Sequence, residues 1–145
     1  MKRLLTAFLI IFVTLVTTVQ AQMVSIAREE VNMRSGPGTR HPVMWELGRG
    51  FPLKTLERKG NWLRVKDFEG DTGWVYRKLT DKTPFVVVSR KIVNIRSGPG
   101  KKYQIVGKAE YGTVLKLIKK GKGWVNVKHS SKIIGWIKGS LVWGW

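Results

Sequence analysis

The stretch VNMRSGPG at residues 31–38 recurs almost unchanged as VNIRSGPG at residues 93–100, an offset of 62 positions. The same offset continues downstream without an insertion. When residues 28–79 are aligned with residues 90–141, 17 of the 52 positions are identical. Self-similarity at one fixed spacing indicates that a structural unit has been duplicated. The chain of 145 residues is therefore predicted to contain two small domains of the same kind.

Each copy consists of short extended segments separated by glycine-rich breaks. The predicted strands are residues 24–26, 30–34, 43–47, 51–58, 62–67 and 72–76 in the first copy, and 92–96, 105–109, 113–119, 124–128 and 133–137 in the second. Alternation within the 62–67 segment puts Leu63 and Val65 on the face opposite to Trp62. Strands of this length and spacing, without a helical segment, predict an all-β fold with one small barrel or sandwich per copy.

Residues 1–21 have the features of a secretory signal peptide. Two basic residues precede a mostly apolar stretch, and the predicted cleavage site lies between Ala21 and Gln22. The alternative is an uncleaved anchor, but the sixteen uncharged residues 4–19 span only about 24 Å as a helix, less than the ~30 Å core of a bilayer. We therefore predict a periplasmic or secreted mature chain without a transmembrane segment. Its predicted organisation is a signal peptide at 1–21, a first domain at 22–80, a linker at 81–84 and a second domain at 85–145.

The composition argues against several kinds of chemistry. The chain has no cysteine, which excludes disulfides, thiolate zinc sites and a cysteine nucleophile. The two histidines, His41 and His129, occupy non-equivalent positions of the repeat, and neither has a recurrent acidic partner. No recurrent pair of carboxylates suits glycoside hydrolysis. We therefore predict a protein that is not an enzyme and that uses neither a metal nor a cofactor.

The positive charge is concentrated in the second copy. The whole chain carries a formal net charge of +18. Residues 22–84 contain 12 basic and 8 acidic side chains, whereas residues 85–145 contain 13 basic side chains and a single acidic one, Glu110. In an exported protein this asymmetry indicates an anionic partner, such as peptidoglycan or another anionic envelope polymer. The alternative is that the lysines only keep a small domain soluble. We expect no native nucleic-acid partner, because the chain is predicted to be exported and lacks a base-reading motif.

Both copies resemble the bacterial SH3-like (SH3b) domain. The resemblance rests on the N-x-R-S-G-P-G element, followed by Gly-x-x-Leu-Lys, Trp-x-x-Val-Lys and Gly-Trp, at residues 50–54, 62–66 and 73–74 of the first copy. It implies an SH3-like barrel of five to seven strands in each copy. It also implies an accessory module that targets peptidoglycan or mediates protein contacts, often beside a hydrolase. We recognise no hydrolase motif beside the two copies.

The Ser-Gly-Pro-Gly sequence of each copy is interpreted as a tight turn. A phosphate cradle would need Gly-Lys-Ser/Thr and a following helix, which neither copy has. The turn residues are Gly36, Pro37 and Gly38, and Gly98, Pro99 and Gly100. The resemblance implies that this turn opens the loop bordering a ligand groove. We therefore predict groove residues beside it, namely Arg34, His41 and Trp45 in the first copy, and Arg96 and Tyr103 in the second.

Some of these residues have alternative roles. Arg34 and Arg96 either hold the loop through hydrogen bonds or bind a carboxylate of a wall stem peptide. The tryptophans at 62, 74, 124 and 136 either complete the cores or form platforms for a sugar ring. The functional hypothesis is an exported, non-catalytic module that binds peptidoglycan or another anionic envelope polymer. The alternative is an adaptor that binds another envelope protein.

Overall fold

The computed structural model describes residues 21–145, and the predicted signal peptide, apart from Ala21, lies outside the described residues. The described chain forms two antiparallel sheets of seven strands each, which confirms the predicted all-β class. The strands of the first domain are β1 (Met23–Ile26), β2 (Val31–Arg34), β3 (Val43–Leu47), β4 (Pro52–Lys59), β5 (Trp62–Lys66), β6 (Thr72–Tyr76) and β7 (Thr80–Asp81). Those of the second are β8 (Phe85–Val88), β9 (Ile92–Arg96), β10 (Ile105–Glu110), β11 (Val114–Lys120), β12 (Trp124–Lys128), β13 (Ile134–Lys138) and β14 (Val142–Gly144). A single 3₁₀ turn precedes the last strand of each domain, at Arg77–Leu79 and at Gly139–Leu141.

The two sheets have the same topology. The strand order is β3-β2-β6-β5-β4-β1-β7 in the first domain and β10-β9-β13-β12-β11-β8-β14 in the second. Even the irregularities coincide, because the register shifts between Thr55 and Glu57 in β4 and between Leu117 and Lys119 in β11, which are equivalent positions. A bulge at this point bends the long strand and increases its twist, which helps a small sheet to wrap around its own core. The duplication seen in the sequence is thus a duplication of the fold.

Each domain has its own hydrophobic core. Leu63 and Val65 are buried on β5 while Trp62 and Arg64 are half-buried on the other face, as the alternation predicts. The most buried core side chains are Ile26, Met33, Leu53, Val65 and Val75 in the first domain, and Val86, Val88, Ile95, Leu115, Val127 and Ile137 in the second. Each core is thus formed by the strands of a single sheet.

A glycine in β6 and one in β13 allow close approach of neighbouring chain segments. A Cβ atom on Gly73 would lie 2.7 Å from Cγ of Met33, and one on Gly135 would lie 2.6 Å from the backbone oxygen of Arg96. Each glycine precedes a tryptophan that pairs across the sheet with the arginine at the end of β2 or β9. The glycine is therefore required for the strand packing that positions Arg34 and Arg96.

The predicted linker is tied to both domains. Asp81 belongs to β7, and Ser25 Oγ lies 2.9 Å from Asp81 Oδ1 and 2.8 Å from the backbone oxygen of Thr83. The N–H of Leu117 donates to the backbone oxygen of Pro84 at 3.0 Å, so the second domain holds the other end of the segment. The domains also contact each other directly, because the rings of Phe68 and Tyr111 lie 5.2 Å apart.

Three strands, β7, β8 and β14, lie in segments for which no strand was predicted from the sequence. β8 is the run FVVV at residues 85–88, and its last three residues are buried. β14 pairs with β8 and thereby closes the second sheet, and Trp145 packs against the second core. The aromatic C-terminal segment therefore completes the second domain. No helix among residues 21–145 has the length and the hydropathy needed to cross a membrane.

Candidate functional site

A surface groove occurs at the same place in both domains. The first groove has a volume of about 520 Å³ and is lined by Glu30, Val31, Asn32, Arg34, Gly38, Thr39, Trp62, Tyr76 and Leu79. The second is smaller, about 190 Å³, and is lined by Ile92, Val93, Asn94, Arg96, Lys101, Trp124, Lys138 and Leu141. Every lining residue of the second groove is equivalent, at the offset of 62, to a lining residue of the first. The groove is therefore a property of the repeated unit.

An arginine at the end of β2 or β9 braces the loop beside the groove. Nη1 of Arg34 donates to the backbone oxygens of Thr39 and His41, both at 2.9 Å. Nη1 of Arg96 donates in the same way to the backbone oxygens of Lys101 and Tyr103, at 3.1 and 3.0 Å. One terminal nitrogen of each arginine, Nη1, therefore holds the loop. The other guanidinium nitrogens make no hydrogen bond to residues 21–145, and both arginines line their grooves.

The aromatic residues after the loop pack on the glycine turns. A Cβ atom on Gly36 would lie 2.5 Å from Nδ1 of His41, and one on Gly98 would lie 2.5 Å from Cδ1 of Tyr103. Each ring therefore occupies the space that a side chain on the first turn glycine would need. Neither His41 nor Tyr103 is among the residues that line the two grooves.

Trp45 also lies away from the grooves. Its side chain is 52% exposed on the edge strand β3, and it lines a separate small cavity with Phe51, Phe68 and Tyr111 near the contact between the domains. The equivalent position in the second domain is Gly107, where a Cβ atom would lie 2.9 Å from Cδ1 of Ile133. Of the five predicted groove residues, the structure thus brings Arg34 and Arg96 to the grooves and places the other three elsewhere.

The four repeated tryptophans fall into two pairs. Trp62 and Trp124 are half-buried and line the grooves, whereas Trp74, which is 7% exposed, and the half-buried Trp136 do not line them and each lie under a lysine, with Lys59 Nζ 5.6 Å from the Trp74 ring and Lys119 Nζ 5.5 Å from the Trp136 ring. The ring of Trp62 lies 5.5 Å from that of Tyr76, its direct partner across the β5–β6 hairpin. The sequence left the same two alternatives, a core role or a platform for a sugar ring, open for all four tryptophans. The hairpin register does not separate Trp62 from Trp74, because Trp62 pairs with Tyr76 and Trp74 lies two positions from Tyr76, which puts both tryptophans on the same face of the sheet.

The outer wall of each groove contains residues that were not predicted from the sequence. Tyr76 and Lys138 occupy equivalent positions on β6 and β13, and Thr39 and Lys101 occupy equivalent positions in the loop. The second groove therefore contains three cations and no carboxylate, whereas the first contains Arg34 and Glu30. The concentration of charge in residues 85–145 thus reaches the groove itself.

The side chains of the two grooves offer both apolar contacts and hydrogen-bond donors to a ligand. A half-buried indole offers an apolar face and an N–H donor, and a guanidinium offers paired donors for a carboxylate or carbonyl oxygen. No cluster of three or more His, Asp or Glu side chains suitable for a metal ion occurs within residues 21–145.

A family model for the bacterial SH3 domain matches the chain twice, at residues 27–82 and at residues 89–144. The chain belongs to the bacterial SH3 domain family. Together the two matches cover 112 of the 145 residues, and each match falls on one of the two sheets. The two bacterial SH3 domains therefore account for the repeat and for the shared sheet topology.

Similar proteins include amidases. The chain is 30% identical over 138 residues to the Bacillus subtilis (strain 168) protein named "Putative N-acetylmuramoyl-L-alanine amidase YrvJ", a match that covers 88% of this chain and 26% of that protein. It is 35% identical over 48 residues to the Staphylococcus epidermidis protein named "Probable cell wall amidase LytH", covering 32% of this chain and 16% of that protein. The chain thus spans about a quarter of the length of the first relative.

Solved structures with similar folds include an NlpC/P60 family protein from Bacillus cereus. That protein is 15% identical to this chain, with a TM-score of 0.40 over 84% of this chain and 56% of the other. NlpC1 from Trichomonas vaginalis is 13% identical, with a TM-score of 0.39 over 87% of this chain and 46% of the other.

Proposed function

We propose that this protein is an exported, non-catalytic binding protein whose two grooves hold peptidoglycan or another anionic polymer of the cell envelope. The observation that carries the proposal is the recurrence of a groove with the same tryptophan, arginine and asparagine in both domains. The core requires buried apolar side chains, but it does not require an indole and a guanidinium at the edge of a surface groove. The names of the amidase relatives support a cell-wall ligand and an envelope or extracellular location.

The two grooves favour different parts of such a ligand. In the first domain the neighbouring rings of Trp62 and Tyr76 offer a broad apolar wall for a sugar face or an apolar side chain. In the second domain Arg96, Lys101 and Lys138 favour a carboxylate or another anionic group. Two weak sites in one chain raise the overall affinity when both reach the same polymer, because the second binding event becomes intramolecular.

The first test is retention of the purified protein on purified sacculi across a salt series. Exposed charges are screened over about 8 Å at physiological ionic strength, so attraction by charge alone is lost as salt rises. We expect retention that persists at high salt and that falls about tenfold in Trp62→Ala, since aromatic stacking contributes on the order of 1 kcal/mol. Retention at low salt only would mean simple adhesion of a polycation and would contradict a shaped groove.

Matched variants locate the ligand. Arg96→Ala is compared with Arg90→Ala, because Arg90 is an exposed arginine of the same domain outside both grooves. Reduced retention of Arg96→Ala, but not of Arg90→Ala, supports the groove. Because Arg96→Ala also removes the hydrogen bonds that brace the loop, its amide NMR spectrum is compared with that of the wild type. Trp45→Ala and Tyr103→Ala test two of the predicted ligand-binding residues that do not line the grooves. Reduced retention in these two variants would place the ligand at the loop and the β3 edge instead.

A second candidate function, an adaptor for another envelope protein, is favoured by the edge strands. β3 and β10 each form one edge of a sheet, and Val43, Met44 and Trp45 on β3 are 48%, 43% and 52% exposed. An exposed apolar edge strand can be extended by a strand of another protein. No retention on sacculi at any salt, together with a specific envelope protein that co-purifies with wild type but not with Trp45→Ala, would favour this function.

A further inference from the structure

A cavity of about 480 Å³ lies in the first domain apart from the groove. It is formed where the start of β1, the β4–β5 hairpin and the 3₁₀ turn before β7 meet, and none of its lining residues lines the groove. Its volume is within the range of small-molecule sites, about 300–1,000 Å³. Its walls combine apolar core residues with several charged side chains, which is the composition expected of a ligand site.

The apolar base of the cavity is part of the first core. Val24 and Leu63 line the cavity and are 4% and 8% exposed. Their equivalents in the second domain belong to a core cluster against which Trp145 packs. The residue of the first domain equivalent to Trp145 is Thr83, where the chain leaves for the second domain. The cavity therefore exists in the domain that lacks the aromatic residue at this core edge.

Arg77, which lines the cavity, has an unpaired guanidinium nitrogen. Within residues 21–145, Nε of Arg77 is the one buried side-chain nitrogen or oxygen that has no hydrogen-bond partner. Leaving a buried donor unsatisfied costs about 1–3 kcal/mol, more for a charged group, so the arrangement is unfavourable without a ligand or water. The second domain has Gly139 at this position, so the arginine is not required by the fold of the repeated unit.

The carboxylates around the cavity already have partners. Glu57 Oε2 accepts a hydrogen bond from Nε of Arg64 at 2.7 Å. Asp81 Oδ1 accepts from the backbone N–H of Thr83 at 2.9 Å, and this bond holds the pKa of the Asp81 carboxyl below its ordinary value. Neither acid lies within 4.0 Å of a nitrogen of Arg77. Neither carboxylate therefore competes with an acceptor from outside the chain for the Arg77 guanidinium.

We propose that this cavity binds the free carboxylate of a short peptide, with Arg77 as the donor and with Val24 and Leu63 receiving an adjacent apolar side chain. A guanidinium can present Nε and one Nη to the two oxygens of a carboxylate as a bidentate pair. Nε is shielded from solvent in the unliganded structure, so binding includes a rotation of the guanidinium toward the cavity. The site is independent of wall binding through the grooves.

The test is an NMR titration of the purified protein with N-acetyl-L-leucine. We expect saturable shifts of the amides of Thr55, Arg77 and Asp81, and no shift at Asn32 or Trp62 in the groove. N-acetyl-L-leucinamide, which lacks the carboxylate, is expected to bind at least about tenfold more weakly, since charge-assisted hydrogen bonds contribute about 1.5–3 kcal/mol. Inorganic phosphate tests whether any oxyanion suffices. Equal shifts with the leucinamide, or tighter binding of phosphate, would overturn the proposal.

Two variants test the role of the arginine. Arg77→Gly, which copies the second domain, is expected to abolish the shifts, and Arg77→Lys, which keeps the charge without the paired donors, is expected to weaken binding about tenfold. Arg28→Gln, an exposed arginine outside the cavity, is the control and should bind as wild type does. Wild-type affinity in Arg77→Gly with a native spectrum would overturn the proposal. Because retention on sacculi is expected to persist in Arg77→Gly, failure here is distinguishable from failure of the groove.

Discussion

In the first groove Trp62 stands beside Tyr76 and Glu30, and in the second groove Trp124 stands beside Lys138 and Ile92. The tryptophan is common to both grooves, as are the braced loop and the strand order. The side chains that rim the groove differ in polarity and charge. The two domains thus share the residues that build the groove, whereas the residues at its rim differ.

The turn between the fifth and sixth strands of each domain is also built alike with different residues. At equivalent positions, Asp67 and His129 each accept a backbone hydrogen bond that holds the turn. Asp67 Oδ1 accepts hydrogen bonds from the backbone N–H groups of Glu69 and Asp71, both at 2.9 Å, and burial raises the pKa of this carboxyl. In the second domain His129 replaces the aspartate, and its Nδ1 accepts from the N–H of Ser131 at 3.0 Å. A histidine that looks chemically interesting in the sequence is therefore the acceptor that holds a turn.

The largest difference between the domains is expected from the glycine before each second tryptophan. A Cβ atom on Gly135 would lie 2.6 Å from the backbone oxygen of Arg96, which cannot move without breaking the sheet, whereas one on Gly73 would lie 2.7 Å from the Met33 side chain and 3.0 Å from the backbone oxygen of Arg34. We expect Gly135→Ala to lower the free energy of unfolding of its domain by about 3 kcal/mol and Gly73→Ala by about 1 kcal/mol. Urea unfolding, with hydrogen exchange to assign each domain, measures both.

Gly48→Ala is the control for this pair, because a Cβ atom there would meet nothing within 4 Å. Its effect should be within about 0.5 kcal/mol of zero. Equal losses in Gly73→Ala and Gly135→Ala would show that the close approach of the strands, rather than the identity of the neighbour, sets the cost.

Much of the fold could be predicted from sequence because the signals are local. Glycine breaks and alternation located β5 and β6 to within a residue, and the repeat implied that both copies would fold alike. β8 and β14 were missed because neither resembles an isolated strand. β8 is a short run buried without alternation, and β14 contains Trp143 and Gly144, which join the sheet only by pairing with β8.

The candidate site was harder to predict because it depends on the direction in which side chains point and on contacts between residues that are distant in the sequence. His41 and Tyr103 are close to the groove loop in sequence, but their rings turn toward Gly36 and Gly98, where the absence of a side chain leaves room. Tyr76 reaches the groove only through its pairing with Trp62. The cavity at Arg77 is formed where three segments that are separate in the sequence meet.

Exchanging the groove rims tests whether charge distinguishes the two sites. Lys101→Thr with Lys138→Tyr gives the second groove the side chains that the first groove has at these two positions. We expect retention on sacculi at low salt to fall about tenfold, and the dependence of retention on salt to become shallower, because two cations leave the ligand's surroundings. The salt series with sacculi measures both quantities.

The matched control for this exchange removes two charges elsewhere in the same domain. Lys91→Thr with Lys122→Thr leaves the groove intact, since neither lysine lines it. A control that loses retention as strongly as the groove exchange would mean that the second domain attracts the wall through its net charge, and the comparison between the grooves would then have no functional meaning.

The smallest effect is expected at the end of the first sheet, where Asp81 has no acidic equivalent in the second domain. The N–H of Thr83 and the hydroxyl of Ser25 stabilise the charged carboxylate and lower its pKa. A depressed pKa contributes stability that is present above the unfolded-state value of about 3.9 and is lost as the pH falls through the lower folded-state value. Because Asp81 is exposed and solvent screens its interactions, we expect Asp81→Asn to cost less than about 1 kcal/mol at pH 7.

The pH dependence separates this electrostatic contribution from the loss of the hydrogen bonds themselves. The difference in unfolding free energy between wild type and Asp81→Asn should be constant from about pH 5 to pH 7 and should shrink below about pH 4, as the wild-type carboxyl takes up its proton. Urea unfolding at a series of pH values measures the difference. A difference that stays constant through pH 3 would mean that the geometry of the Ser25–Asp81–Thr83 contacts, and not the charge of the carboxylate, ties the linker to the first domain.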